Sequence, residues 1–326
     1  MQGGDAWVNS SKTTSPDIDK VFVIDDSNKF VFGKKDNVII VVLDAFQGSI
    51  FDEILVDSPE HAKALHGFTW FKNASCAIAS TTLSLPHLLT SVPYDNTIPV
   101  HQYKQQVSLG HSLPLSLKAQ GYKTEYYPEA GYGVLPVDDR LWTNVELKTG
   151  FEQVDEYNKL IQATNFRVSP QAVKKQLYYE GAWSTLDSIK RYLITTLSNG
   201  VEQPYLNTQP IPVHNPKQSS QCCNNIPAGV NKDVDFTNAM LGQVRKGREN
   251  KVFKLYHLQG LHPPRHIDQN FNVVRSMNSD PSTLLSSGRA SLKLLELFLG
   301  ELKKAGAYDN SLIFIIADHG SDRIVK

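Results

Sequence analysis

The sequence predicts an α/β fold, a three-layer α/β/α sandwich around a mostly parallel central sheet. Three observations carry that expectation. Val38 to Leu43 is a continuous β-branched run without alternation, the pattern of a strand buried on both faces. Further strand-like runs, Lys123 to Tyr127, Val252 to Leu258 and Leu312 to Ala317, are separated by segments with helical spacing. Strands alternating with helices form parallel sheets covered on both sides. The length of 326 residues, with 40% hydrophobic and 20% charged, supplies a core of the size such a sheet needs.

Residues 1 to 36 read as a flexible lead-in or junction, and residues 37 to 326 as one folded domain. The first 18 residues are rich in Ser, Thr, Gly and Asp. Val21 to Ile24 and Phe30 to Phe32, around Asp25, Asp26 and Asn28, suggest a small hairpin. After the Val38 strand, Ile50, Phe51, Ile54 and Leu55 mark an amphipathic helix, with Ser49 and Asp52 as its capping box. Ser112 to Gln120 has Pro114 in its first turn and stops at Gly121. Ala182 to Ser198 places Trp183, Leu186, Ile189, Tyr192, Leu193 and Leu197 at helical spacing, ended by Asn199-Gly200. Glu202 to Asn231, rich in Pro, Asn, Gln and Ser, reads as a surface excursion. Pro281 to Ala305 sets a leucine stripe from Leu284 to Leu302 on one face, with Gly306 as the stop.

Charge and cysteine content exclude several classes. Lys plus Arg equals Asp plus Glu at 33 each, and no basic stripe stands out, so nucleic acid is not an expected partner. Cys76, Cys222 and Cys223 are too few for a disulfide framework and have no zinc-knuckle spacing. No stretch approaches the roughly 20 apolar residues that span a bilayer, and the N-terminus has no signal core.

Ligands of open parallel sheets bind beyond the carboxyl ends of the strands. Asp44 follows the first buried strand, Asp318, His319 and Gly320 follow the last, and His257, Gly260 and His262 close the Val252 strand. A lone Asp after a strand is ordinarily a cap or turn residue. Three such clusters at one sheet edge instead predict a metal site, and their oxygen and imidazole donors suit zinc or manganese. Ser84 is expected to cap a helix starting near Leu85 and Pro86, which sets Thr81 just ahead of a helix N-terminus. That position favours an anion, and a hydroxyl there, ionised by a metal, can attack a phosphorus or sulfur centre.

These motifs together resemble the alkaline phosphatase/sulfatase superfamily. Val-Val-Leu-Asp44 resembles its first strand with a metal carboxylate, Thr81 to Thr90 its nucleophile helix, and Ile316-Ala317-Asp318-His319-Gly320 its metal-binding pair. His257 to Pro264 is similar to the stretch carrying a substrate-side histidine. The resemblance implies an alkaline-phosphatase-like fold, a divalent cation (zinc or manganese, with calcium or magnesium as alternatives) held by Asp44, Thr81, Asp318 and His319, and Thr81 as nucleophile. It further implies that His262 contacts the phosphoryl group or protonates the leaving group, and that His257, Arg140 and Asn144 lie on the substrate side.

Formylglycine sulfatases carry Cys/Ser-x-Pro-x-Arg where this chain has Thr81-Thr82-Leu83-Ser84-Leu85. The resemblance is therefore to threonine-nucleophile envelope phosphoethanolamine and phosphoglycerol transferases. The implied partner is a phosphoester-bearing lipid or glycan on the periplasmic or extracellular side, reached from a membrane segment outside this chain. Family members continue past the Asp-His pair, so the resemblance also implies a domain incomplete at its C-terminus. Two other readings stay open, a sulfuric ester hydrolase and a catalytically inactive binding or regulatory domain.

Overall fold

The computed structural model describes residues 20–130, 134–149, 178–179, 182–183, 232–263, 265–274 and 280–320. In chain order its elements are β1 (Lys20–Ile24), β2 (Val31–Phe32), β3 (Asp36–Leu43), α1 (Gly48–Asp57), α2 (Glu60–Ala64), α3 (Thr81–Thr90), α4 (Val100–Gly110), α5 (Leu113–Ala119), β4 (Lys123–Tyr127), β5 (Val145–Thr149), β6 (Tyr178–Tyr179) and β7 (Ala182–Trp183). They continue with α6 (Lys232–Met240), β8 (Arg245–Lys246), β9 (Lys251–Leu258), α7 (Pro281–Lys304) and β10 (Ser311–Ile316).

Two compact units divide the chain. One, Met1–Val21 with Leu147–Gln218, contributes the antiparallel pair β6 and β7 to the described residues. The other, Phe22–Glu146 with Ser219–Lys326, contains the central sheet. The expected lead-in 1–18, the surface excursion 202–231, and Cys222 and Cys223 lie outside the described residues. So does the expected 182–198 helix, apart from Ala182 and Trp183, which form β7 instead.

The sheet has the order β10-β3-β9-β4, with every pair parallel. The Val38 run is its central strand. Ile39, Val41 and Leu43 join one core with Ile50 and Ile54 of α1, Val234, Phe236 and Met240 of α6, and the leucine stripe of α7. Ile40 and Val42 face the other core, with Leu85 and Leu89 of α3, Leu117 of α5, Tyr126 and Trp142. Both faces are thus covered by helices, the three-layer arrangement a non-alternating strand requires. Each such aliphatic side chain contributes roughly 1.5–3 kcal/mol by leaving water. The α1–α7 contact is close: a Cβ on Gly288 would stand 2.7 Å from Ile54 Cδ1. Helix α7 begins as expected, with Pro281 in its first turn and Asp280 accepting from the Thr283 N–H at 3.0 Å.

Several local expectations are corrected. β1 and β2 form no hairpin; β1 pairs with β5, and β2 runs parallel to β8. Successive turns between them, Lys29 N–H to Asp26 O and Val31 N–H to Asn28 O, redirect the chain. Phe30 and Phe32 enter the α7-side core, so packing begins before residue 37. Helix α1 starts at Gly48 behind Gln47, and no side chain caps it, so Ser49 and Asp52 form no capping box. Among the described residues, no helix is long and apolar enough to cross a membrane.

A candidate metal centre at the carboxyl edge

Three strands deliver the site. Asp44 directly follows β3, β10 leads into Asp318 and His319, and β9 ends in His257 and Leu258. Because all run in the same direction, their carboxyl ends share one edge, and Val42 pairs with both Ile316 and His257. One ligand atom each from Asp44, Asp318 and His319 lies within 4.8 Å of the others.

The backbone holds these groups in place. Ala45 takes a left-handed φ of 55°, which directs its N–H to Asp318 Oδ1 at 3.0 Å. The His319 N–H donates to the same oxygen at 2.9 Å. Asp44 is fixed through its main chain, its N–H donating to Leu258 O and its carbonyl accepting from Leu261 N–H. Gly260, at φ 55°, fits against that strand end, where a Cβ would meet Asp44 O at 2.6 Å. Gly260→Ala is therefore expected to displace Asp44 and lower stability by about 1–3 kcal/mol, read as a lower urea midpoint together with weakened cation binding. Ala45 carries strain of roughly 1–2 kcal/mol that glycine would not. Ala45→Gly is expected to leave the thermal midpoint unchanged or slightly raised, the gain offset by chain entropy.

The side chains fit a cation. Asp44 and Asp318 are buried, and among the described residues Asp44 Oδ1 and Asp318 Oδ2 have no hydrogen-bond partner. His319 Nδ1 donates to Gly320 O at 2.6 Å, which leaves the lone pair on Nε2. That Nε2 stands 3.6 Å from Asp44 Oδ1, 3.4 Å from Asp318 Oδ2 and 3.1 Å from Thr81 Oγ1. Three acceptors facing one another in a desolvated place repel unless positive charge lies among them. Two carboxylates, an imidazole and a hydroxyl are donors that zinc and manganese accept.

Thr81 is the first residue of α3, four residues earlier than the Ser84 cap predicts. The cap position is Ser80, with extended φ and ψ, and Ser84 instead lies buried in the helix with an unpartnered hydroxyl. Pro86 sits inside the helix, where it removes a backbone donor. Among the described residues no side chain caps α3; the Leu83 N–H turns back to Ser80 O at 3.0 Å, which leaves the N–H groups of Thr81 and Thr82 to face an anion.

The other residues singled out are placed as follows. His257, almost fully buried, lies 3.2 Å through Nε2 from Asp44 Oδ2, and it orients the carboxylate rather than facing open space. His262 is exposed, with Nδ1 2.6 Å from Pro263 O, and is not part of the Asp44–Asp318–His319 group. Arg140 is clasped by Asp138 through Nε at 2.8 Å and a terminal nitrogen at 2.6 Å, which raises its pKa. Its neighbours Leu141 and Thr143 bond to Thr124 at the amino end of β4, away from the metal edge. Asn144 uses its amide on Tyr126, accepting from N–H at 3.1 Å and donating to the carbonyl at 3.0 Å. It acts as a strut for β4, and the substrate grip expected of Arg140 and Asn144 finds no support in this placement.

Asp233 was not legible as a site residue. It is fully buried in the first turn of α6 and accepts from Gln259 N–H at 2.7 Å and Gly260 N–H at 2.9 Å. It pins the turn that supports Asp44. Burial pushes its pKa up to about 6 against the two N–H donors that lower it. An acid raised in this way costs stability once it ionises, so its contribution falls as pH rises from about 4 to 6. The available signal was an aspartate heading the apolar spacing of Val234, Phe236 and Met240.

The sulfatase family model matches residues 36–324, and the chain belongs to the sulfatase family. No curated protein matches. Similar solved structures include an alkaline phosphatase superfamily protein from Vibrio parahaemolyticus (14% identity, TM-score 0.45, 91% of this chain and 57% of that one). The lipoteichoic acid synthase LtaP from Listeria monocytogenes has 15% identity and a TM-score of 0.42, over 92% of this chain and 60% of that one. The C-terminal periplasmic domain of EcEptC from Escherichia coli, in complex with Zn, has 13% identity and a TM-score of 0.41, over 93% and 67%. The chain thus spans 57% to 67% of the length of these structures. Members of this superfamily are hydrolases or transferases of sulfate or phosphate esters.

Proposed function

We propose that this protein is a metal-dependent phosphotransferase or phosphodiester hydrolase with Thr81 as nucleophile, acting on a phosphoester-bearing lipid or glycan of a cell envelope. The observation that carries the reading is the convergence of two buried carboxylate oxygens without a partner among the described residues, the Nε2 of His319 and the Thr81 hydroxyl bonded to it at a helix start. Asp44, Asp318, His319 and Thr81 would hold the cation, zinc or manganese. Bound there, a divalent cation lowers the pKa of a hydroxyl and neutralises phosphoryl charge.

The chain's own residues supply the rest. Thr81 Oγ forms a bond to phosphorus as the bond to the leaving alcohol breaks, and the proton lost by Thr81 equals the one the alcohol gains. A second alcohol or water then takes the group and restores the hydroxyl. The N–H groups at the start of α3 face developing oxyanion charge. His257 holds Asp44 in register, and His262, exposed beyond β9, is the proposed proton donor to the leaving group. A threonine where formylglycine sulfatases carry Cys or Ser favours phosphorus over sulfur as the centre attacked.

Elemental analysis of the purified chain beside Asp318→Ala tests the reading. About one zinc or manganese per chain, lost in the variant, is expected, with a lower thermal midpoint for the variant when metal is present. Equal metal in both proteins would remove Asp318 from the ligand set. Absence of metal from wild type after incubation with excess zinc and manganese would favour the non-catalytic alternative.

A further inference from the structure

The amino ends of β4 and β9, opposite the metal edge, border a polar cavity of about 350 Å³. Its walls come from separate elements: Asn28, Val31 and Phe32 around β2, Lys123 and Glu125 of β4, Arg245 of β8, and Arg248 and Glu249 just ahead of β9. The volume falls in the range of small-molecule sites.

Beneath it lies an ion network that the proposed chemistry does not use. Lys254, in the middle of β9, is fully buried and paired with Glu125, and its ammonium also donates to Asn28 O at 2.7 Å. Glu125, almost fully buried, also stands 3.0 Å from Lys123 Nζ. Burying such ions in a sheet stabilises no more than apolar residues of the same size would. Glu125 and Asn28, both partners of Lys254, are also walls of the cavity.

The charge balance sets the ligand's sign. Lys123 and Lys254 together outweigh Glu125 by one positive charge, and Arg245 and Arg248 add two more against the single charge of Glu249. Arg245 is exposed, and among the described residues its guanidinium makes a single long bond, 3.4 Å to Gln243 O. Arg248 is exposed and has no protein partner among the described residues. Two weakly engaged guanidinium groups at the mouth of a cavity suit the forked geometry of an oxyanion, and Val31, Phe32 and Val252 give it an apolar wall.

We propose that this amino-edge cavity binds a small oxyanion-bearing molecule, phosphate or carboxylate, through Arg245, Arg248 and Lys123. It is separate from the metal edge along β9, whose Val252 lines the cavity and whose His257 contacts Asp44, at about 3.3 Å per residue.

Calorimetric titration of inorganic phosphate, and separately of acetate, into the full chain stripped of metal by chelator tests the proposal, at constant ionic strength set with chloride. Saturable binding of one ion per chain is expected. It should weaken at least tenfold in the Arg245→Ala/Arg248→Ala double variant and stay unchanged in Asp318→Ala. Both arginines are exposed, so the variant should keep the wild-type urea midpoint. Phosphate binding without acetate binding would assign the site to phosphates, and binding of both would assign it to oxyanions generally. Absence of saturable binding of either ion overturns the proposal, as does binding that persists in the arginine variant or disappears in Asp318→Ala. Because the protein is free of metal, a failed proposed function leaves this outcome untouched.

Discussion

Thr81→Ala is expected to lower turnover of a phosphodiester substrate by at least about a thousandfold while the domain stays folded. The change removes the hydroxyl 3.1 Å from His319 Nε2, and with it the group that would form the covalent bond. Little core volume goes with it, because Thr81 is only partly buried and sits at the first position of its helix. Its stability cost should fall within the usual range of about 0.5–1 kcal/mol for such a site. The measurement is kcat on a chromogenic phosphodiester, alongside a thermal melt. Thr81→Ser should recover part of the rate, since it restores the hydroxyl without the methyl group. Full turnover in the alanine variant would exclude Thr81 as nucleophile, and an unfolded variant would leave the serine variant to decide.

The largest effect on stability is expected at the opposite edge. Glu125→Leu should destabilise the domain by about 3–5 kcal/mol, because it leaves the Lys254 ammonium in the sheet interior without its carboxylate. Glu125→Leu/Lys254→Met should recover most of that loss, since replacing both ions by apolar residues is close to neutral. Urea unfolding of the three proteins checks both statements. The pair also predicts a pH dependence. Burial lowers the pKa of Lys254 from 10.5 to about 8 against the pull of Glu125. The unfolded chain then binds more protons than the folded one between about pH 8 and 10.5, so stability from this group rises with pH across that window. Tyr127 and Tyr256 act in the opposite direction. Burial raises both phenols above 10, so their contribution falls once the unfolded phenols ionise above pH 10. Wild type should gain stability from pH 8 toward 10, and Lys254→Met should not.

The sequence carried the sheet and the metal edge for a physical reason. A strand buried on both faces must be a continuous apolar run, so Val38 to Leu43 could hardly belong elsewhere. Residues at the carboxyl ends of such runs share an edge by the parallel rule alone, which brings Asp44, Asp318 and His319 together without any contact being known. What escaped were features set by tertiary partners. Ser84 has the chemistry of a cap, yet Ser80 takes the cap position and Thr81 begins the helix, since the burial of Leu85 and Leu89 against the sheet decides the helix's place. Asn144 was expected on the substrate side by resemblance, yet its amide braces β4 through Tyr126. Asp233 carries no motif, because its partners are main-chain N–H groups that any sequence provides.

The bond from Ala45 N–H to Asp318 joins residues 273 positions apart. Nothing local can assemble the two carboxylates, since one follows β3 and the other follows β10, the last strand described. A chain emerging during synthesis therefore presents Asp44 long before its counterpart exists, and the two carboxylates meet only when β10 docks beside β3. Closing so long a loop is slow and entropically costly. A cation that binds only the docked form draws that late step toward completion by mass action. Refolding with zinc or manganese in the buffer should consequently return more native protein than refolding in chelator, with the difference concentrated in the docking of that final strand.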